Sequence, residues 1–542
     1  MALRDVELVE DEPERPDVPD GEPPARSWLR RHPAVVTAVA AVLVLVVGTA
    51  VVLDALARRQ LAARAEALRA VPGVLREVDP ALPVVTSVSR SWDASGPLPE
   101  AVQAELYAAV AGDVAVIGST GGPWGETTDG VVVGVDVRTG EERWRTPVPP
   151  PPGEALEGSA SLWCAGPDDD AMTGRVVPTA AGTPVGCTAQ WYRVAQVGEE
   201  YSRSVVSALE LDPEDGSVRS RLDLGEAAAV QRTADGWVVA NRTDVIAVER
   251  LATDGTPRWR TDLTPSPTES PFAWMTARDG RLLLTFDRDA WVLDPEDGTV
   301  LAAHPDVGTS PASLLPGGAV VLADPDAAAS TTLYPPDGPP VSLGEEALVP
   351  LGVDDGSLGT VVLTSSGVGR RDRLPVARDD DALRTTLRRP DGRTLWRATD
   401  VDAHSALVVD GTLVLLGPTH LAVVDGDDGE VRWRVALPHR SGQAQLLTDG
   451  AVLLVGAGRA LDAWTFDGAA AWSAHVRDDG DGVELRPGAS APTPTPTGRG
   501  RASSSEEYVG WFPTRLGRLA VLVSSSAAQR EHVLVVGRTA AG

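Results

Sequence analysis

The sequence is short of whole residue types. Among 542 residues there is no lysine, so all 48 basic residues are arginine, against 77 Asp and Glu. Asparagine occurs only as Asn241, and isoleucine only as Ile117 and Ile246. AT-rich codons serve the missing types, so this is the mark of a GC-rich bacterial coding sequence, and the arginines are not read as chosen for bidentate chemistry. Without lysine, a G-x-x-x-x-G-K-[ST] phosphate loop is impossible. A net charge of −29 repels phosphate backbones, and no basic, aromatic-interleaved patch offsets it, which excludes nucleic acid as a partner. Cysteine is nearly absent too. Cys164 and Cys187 lie too far apart, with no histidine cluster nearby, to make a zinc site. They are expected to form one disulfide closing an excursion at 160–190 if the domain lies outside the cytoplasm, and otherwise to be two buried thiols.

Long apolar runs are absent but for one. Residues 34–53, AVVTAVAAVLVLVVGTAVVL, carry no charge. About 20 residues at a rise of about 1.5 Å match a hydrocarbon core of about 30 Å. Ala55-Leu56-Ala57 would suit a signal-peptide cleavage rule. The run is longer than a signal's apolar region and a long segment precedes it, so an uncleaved transmembrane helix at 33–54 is expected. Arginines tie across it: Arg15, Arg26, Arg30 and Arg31 against Arg58, Arg59, Arg64 and Arg69. The short acidic tail and the cysteine-bearing large domain favour the N-terminus inside and the domain outside. Residues 1–32 are rich in Asp, Glu and Pro and are expected to be disordered. Residues 55–80 carry Leu61, Leu68 and Leu75 at seven-residue spacing, the pattern of a short stalk helix.

From residue 81 to 542 the pattern becomes short β-branched runs between Gly, Asp and Pro turns. A unit then repeats. A glycine is followed four residues later by tryptophan in GVDVRTGEERW (Gly140, Trp144) and ATDGTPRW (Gly255, Trp259). The same spacing recurs in RPDGRTLW (Gly392, Trp396), DGDDGEVRW (Gly429, Trp433) and FDGAAAW (Gly468, Trp472). Arg145, Arg260, Arg397 and Arg434 follow four of those tryptophans directly. Gly216, Gly298 and, most weakly, Gly338 keep the turn without the ring. The glycine spacings are 76, 39, 43, 40, 54, 37 and 39 residues, and the longest holds the two cysteines. A period near 40 in strand-rich sequence is that of a propeller with four strands per blade. Eight glycines predict an all-β propeller of eight blades, or seven if the Gly338 copy is discounted. In each unit the glycine allows a tight turn. The ring is expected to cover the seam between blades, with the next arginine on the opposite face.

The units resemble the PQQ-binding-like, quinoprotein-type β-propeller repeat, whose pattern is near A-L-D-x-x-T-G-x-x-x-W. The likeness covers most of 105–475 and implies the fold; the fold alone does not imply an activity. Quinoprotein dehydrogenases of that family would imply adjacent cysteines and a calcium site of Glu, Asn and Asp. Here the cysteines are apart and Asn241 sits in an ordinary between-strand turn, so no cofactor is expected. The acidic stretches 425–430 and 477–484 lack a D-x-D-x-D-G core and are expected to be solvated turns. The seven histidines, among them His404, His420, His439 and His475, form no metal motif and are assigned packing or surface places. The strand at 83–92, ending in Trp92, is expected to close the ring beside strands 518–526 and 531–537, with a disordered loop at 486–507. No catalytic, cofactor-binding or metal residue is legible. The expectation is a membrane-anchored, extracytoplasmic, non-enzymatic interaction module whose partners are other envelope proteins. A ligand-sensing or carbohydrate-acting propeller is the second expectation, and a quinoprotein dehydrogenase the third.

Overall fold

The computed structural model describes residues 33–71, 73–75, 78, 84–89, 109–118, 130–136, 141–152, 161–166, 179–192, 204–242, 245–266, 273–305, 312–324, 330–344, 346–366, 384–399, 401–437, 444–476, 483–487, 507–513, 519–525 and 530–536. The acidic tail at 1–32, Trp92, Gly140 and nearly all of the 486–507 loop lie outside these. The chain divides into two units, Met1–Ala63 and Arg64–Gly542.

In the first unit the described residues belong to a helix, Pro33–Arg69, whose last turns extend into the second. Its apolar side chains, Val42 to Leu53, face outward; Val44 is 72% exposed. The helix is long and apolar enough to cross a membrane. No separate stalk helix exists among the described residues. The same helix runs on to Arg69, and Pro72, which cannot continue it, follows.

The second unit is β throughout. Eight antiparallel four-strand units follow in sequence, each with one of the repeat glycines between its third and fourth strands: blades one (109–148), two (161–225), three (227–263), four (273–304), five (313–344), six (347–399), seven (405–436) and eight (445–476). First strands lie side by side between blades three and four, four and five, and seven and eight. Buried clusters link each blade to the next. Ala109, Val116 and Val148 of blade one pack with Leu162, Cys187 and Leu209 of blade two. Equivalent clusters join two to three, three to four, four to five, five to six, six to seven and seven to eight. Val and Leu on both faces of the sheets build these layers, because blades two to seven are each covered on two sides.

A ninth sheet carries no repeat glycine. Its strands Glu507–Pro513, Leu519–Ser525 and Arg530–Val536 are completed by Val84–Ser89, with Val84 opposite Val536 and Ser89 opposite Glu531. Two strands are additions to the blade pattern. Leu351–Asp354 runs parallel to Ser405–Val409 of blade seven, and Val483–Pro487 lies beside Ala470–Val476 of blade eight. Cys164 and Cys187 face each other across the first two strands of blade two and are bonded. The excursion therefore sits between those strands.

Candidate functional site

The repeated residues meet at the seams. Trp144 donates its Nε1–H to the Pro213 carbonyl at 2.8 Å, and its ring lies on Gly216 of the next blade. Trp259 does the same with Pro295 at 3.0 Å and Gly298, Trp396 with Gly426 at 2.9 Å and Gly429, and Trp433 with Phe466 at 2.9 Å and Gly468. Each ring covers the turn of the blade that follows, so a ring and a glycine in consecutive copies form one joint. Thr146 and Thr261, two residues past their tryptophans, add bonds of 2.7 Å to the carbonyls of Gly216 and Gly298. Where the ring is missing, something smaller fills in: Leu222 meets Gly255 and Val341 meets Gly392. Nothing lies within 4 Å of a Cβ placed on Gly338. Trp472 differs, because its strand is paired on both sides, with Ala463 and Pro487 opposite the ring.

The acidic turn of blade seven is spent on itself. Asp425 Oδ1 accepts the Asp427 N–H at 2.9 Å, Asp428 Oδ1 accepts that of Glu430 at 2.8 Å, and Asp425 Oδ2 pairs with Arg432 at 2.6 Å. Arg432 holds the Asp425 carboxyl below its usual range. The same ion pair recurs as Asp136–Arg143 and Asp212–Arg219. The arginine that shares a role between copies therefore stands three past the glycine, a partner the sequence reading missed. The arginine after the ring varies: Arg145 pairs with Glu142, and Arg260 with Glu249 and Asp262.

Arg434 departs furthest. It reaches across the outer strand of blade seven to donate to Nδ1 of His420 at 3.1 Å. His420 is 2% exposed and opens the third strand. Its Nε2 stands 3.4 Å from Oδ1 of Asp402, itself buried in the segment ahead of the first strand. His404, two residues on, bonds through Nε2 to the Ala444 carbonyl of blade eight at 2.9 Å. Gly417 permits the approach, since a Cβ there would stand 2.5 Å from Asp402 Oδ1 and 2.9 Å from His420 Cε1. A guanidinium can only donate, so Nδ1 must be the unprotonated nitrogen and Nε2–H faces Asp402. Burial, then Arg434 and His404, pull His420 down to about 4. Burial pushes Asp402 up, with Arg434 opposing. No linear motif announces this cluster, because a blade-to-blade connection and a strand-to-strand turn assemble it.

A second buried group, in blade six, is fully paired. Glu346 accepts from Thr364 at 2.6 Å, Thr386 at 3.1 Å and Arg388 at 3.0 Å. Burial alone would raise its pKa, but these bonds hold it low. Among the described residues no three His, Cys, Asp or Glu side chains are grouped to hold a metal ion. The donors a pyrroloquinoline quinone site would use do not fit either. The cysteines are tied across two strands, and Asn241 lies within a strand opposite Ala227 and Ala247.

Residues 202–347 and 380–502 match the family model described as outer membrane protein assembly factor BamB. No curated protein matches the chain. Among solved structures, BamB from Moraxella catarrhalis is similar at 11% identity over 61% of this chain and 93% of that one, with a TM-score of 0.31. The computationally designed Ika8 protein gives 13%, 63%, 95% and 0.30. The quinohemoprotein alcohol dehydrogenase from Comamonas testosteroni gives 10%, 67%, 71% and 0.29. Likenesses this loose add nothing about activity. With the family match running through blades two to eight and the same ring-on-turn joint repeated at the seams, the chain belongs to the PQQ-like β-propeller repeat family.

Proposed function

We propose that the chain is a membrane-anchored propeller, exposed on the extracytoplasmic side, that serves as a non-catalytic interaction scaffold in the bacterial cell envelope. The observation that carries this reading is how the repeat spends its chemistry. Its tryptophans, turn aspartates and paired arginines are engaged in seams and turns, which build a rigid surface and leave the repeat no reacting group. The apolar helix and the disulfide support the setting. The family description, an outer membrane protein assembly factor, supports the role. Other envelope proteins are the partners this implies. Photo-crosslinking from Val218, Val300 and Val431, exposed at the same position of three outer strands, tests it in intact membranes. Discrete adducts that change with position are expected. Adducts that are the same from all three sites, or turnover by purified protein supplied with a quinone, would overturn it. Labelling Val300→Cys, at an exposed position, in intact cells with a membrane-impermeant thiol reagent tests the orientation: an outward domain becomes labelled, and labelling only after lysis would overturn it.

A ligand-binding propeller is the second reading, and Trp163 favours it. This ring is 44% exposed on the first strand of blade two. Quenching of its fluorescence by oligosaccharides, lost in Trp163→Ala, would move the assignment to this reading.

A further inference from the structure

His420 is held between two charged groups of opposite sign. Its two ring nitrogens face groups of opposite charge from different elements: Arg434 from the outer strand at 3.1 Å, and Asp402 from the segment ahead of the first strand at 3.4 Å. His404 faces the ring from that same segment and is tied to blade eight through Ala444. Thr419 Oγ1 stands 3.4 Å from Nδ1 on the turn itself. Arg434 is next in sequence to Trp433, whose ring makes the joint with Phe466 and Gly468 of blade eight.

We propose that Asp402, His420 and Arg434 form an acid-sensitive latch, in which a proton taken up at Nδ1 of His420 expels Arg434 and frees the strand Val431–Ala436 and its joint to blade eight. A proton at Nδ1 converts the acceptor into a donor, which cannot coexist with a donating guanidinium. The imidazolium would also stand beside two cations' worth of repulsion if His404 were charged, with Asp402 alone to compensate. The sign follows from linkage. His420 is held neutral, with a folded value of about 4 against an ordinary 6.5, so the closed latch is fully stabilised above pH 6.5 and weakens as the pH falls toward about 4. Asp402, shifted upward by burial, works the other way and opposes the effect. For a local opening that exposes His420, the linkage relation gives a rise on the order of tenfold between pH 7 and pH 5. The latch operates whether or not the propeller is a scaffold; it governs one seam and needs no partner.

Hydrogen exchange read by mass spectrometry on the full chain in nanodiscs tests this, with rates corrected for the intrinsic pH dependence. Protection of the peptide covering 431–436 should fall about tenfold from pH 7 to pH 5. The matching strand Pro257–Leu263 of blade three, which has the same tryptophan joint without a histidine, should hold its protection. His420→Gln, which keeps an acceptor, should abolish the difference. Because that variant could fold poorly, Arg434→Met supplies a second arm: with histidine-selective 15N labelling, the His420 resonance should titrate at higher pH once the guanidinium is gone. Equal loss of protection in both strands, a pH response that survives in His420→Gln, or an unmoved titration in Arg434→Met would overturn the latch.

Discussion

An alanine at Gly429 would place its Cβ 2.7 Å from Cδ2 of Trp396, in a backbone with φ of 78°. Both the clash and the left-handed conformation oppose it, so Gly429→Ala should cost roughly 2 kcal/mol or more. Trp396→Ala removes the other half of the joint, a ring 6% exposed, and should cost about 3–5 kcal/mol. The double variant should lose less than the sum, since one contact is removed twice. Chemical denaturation of the three variants checks this, and strict additivity would show the ring and glycine to be independent. Asp427→Asn and Asp428→Asn should each change stability by under about 1 kcal/mol, because exposed turn bonds contribute little. The ring and the glycine were legible in the sequence because repetition set them apart from background. Arg432 was passed over because its place before the ring looks unremarkable until its partner, seven residues back, is seen across the turn. Asp402, His404 and His420 were illegible for a different reason: buried polar groups that meet through two connections leave no spacing to read.

Among elements, the segment from Arg64 to Val78 behaves as part of the propeller. Leu75 is fully buried and its N–H donates to the Thr448 carbonyl at 2.8 Å, while the Val78 N–H donates to Asp449 Oδ2 at 3.1 Å. Leu68 and Val74 join the cluster of blades seven and eight, and Arg64 pairs with Asp410 beneath the Phe466 ring. The seven-residue leucine spacing thus has a cause other than a self-contained stalk: two of its members are anchors for this strap. Leu75→Ala should lower stability by about 2–4 kcal/mol, whereas Leu61→Ala, at a residue 62% exposed, should leave the melting of the propeller unchanged. Calorimetry of the full chain in detergent distinguishes the two. The disulfide is the other element-level fastening. Cys164 is 3% exposed and Cys187 fully buried within the seam of blades one and two, so reductant should act on unfolded chains and spare folded ones. Thiol trapping with and without denaturant reads this directly, and free thiols in the native sample would contradict it. The pairing itself was an expectation from composition and compartment; its position opposite in register could only come from the strands.

At the scale of the whole molecule, eight blades built from one repeat leave the problem of joining the two ends of the series. The repeat cannot solve it, because every copy is contiguous in sequence and none links the beginning of the domain to its end. The ninth sheet does so with strands drawn from both: Val84–Ser89 pairs along its full length with Arg530–Val536. The tryptophan period that revealed the blades is silent about this sheet, and its closing strand was legible only as a leftover β run with no unit of its own. Removing residues 530–542 would leave Val84–Ser89 without its partner and turn Leu519–Ser525 into an open edge. A free, apolar edge invites pairing between molecules. The truncated chain should therefore melt lower and less cooperatively, and should associate with rising concentration in light scattering. Removing only 537–542 spares every pair in the sheet and serves as the control, expected to match the full chain in both measurements. If the longer truncation also matched it, the ring would be held by its blade-to-blade seams alone, and the joint sheet would be an ornament on a structure that closes without it.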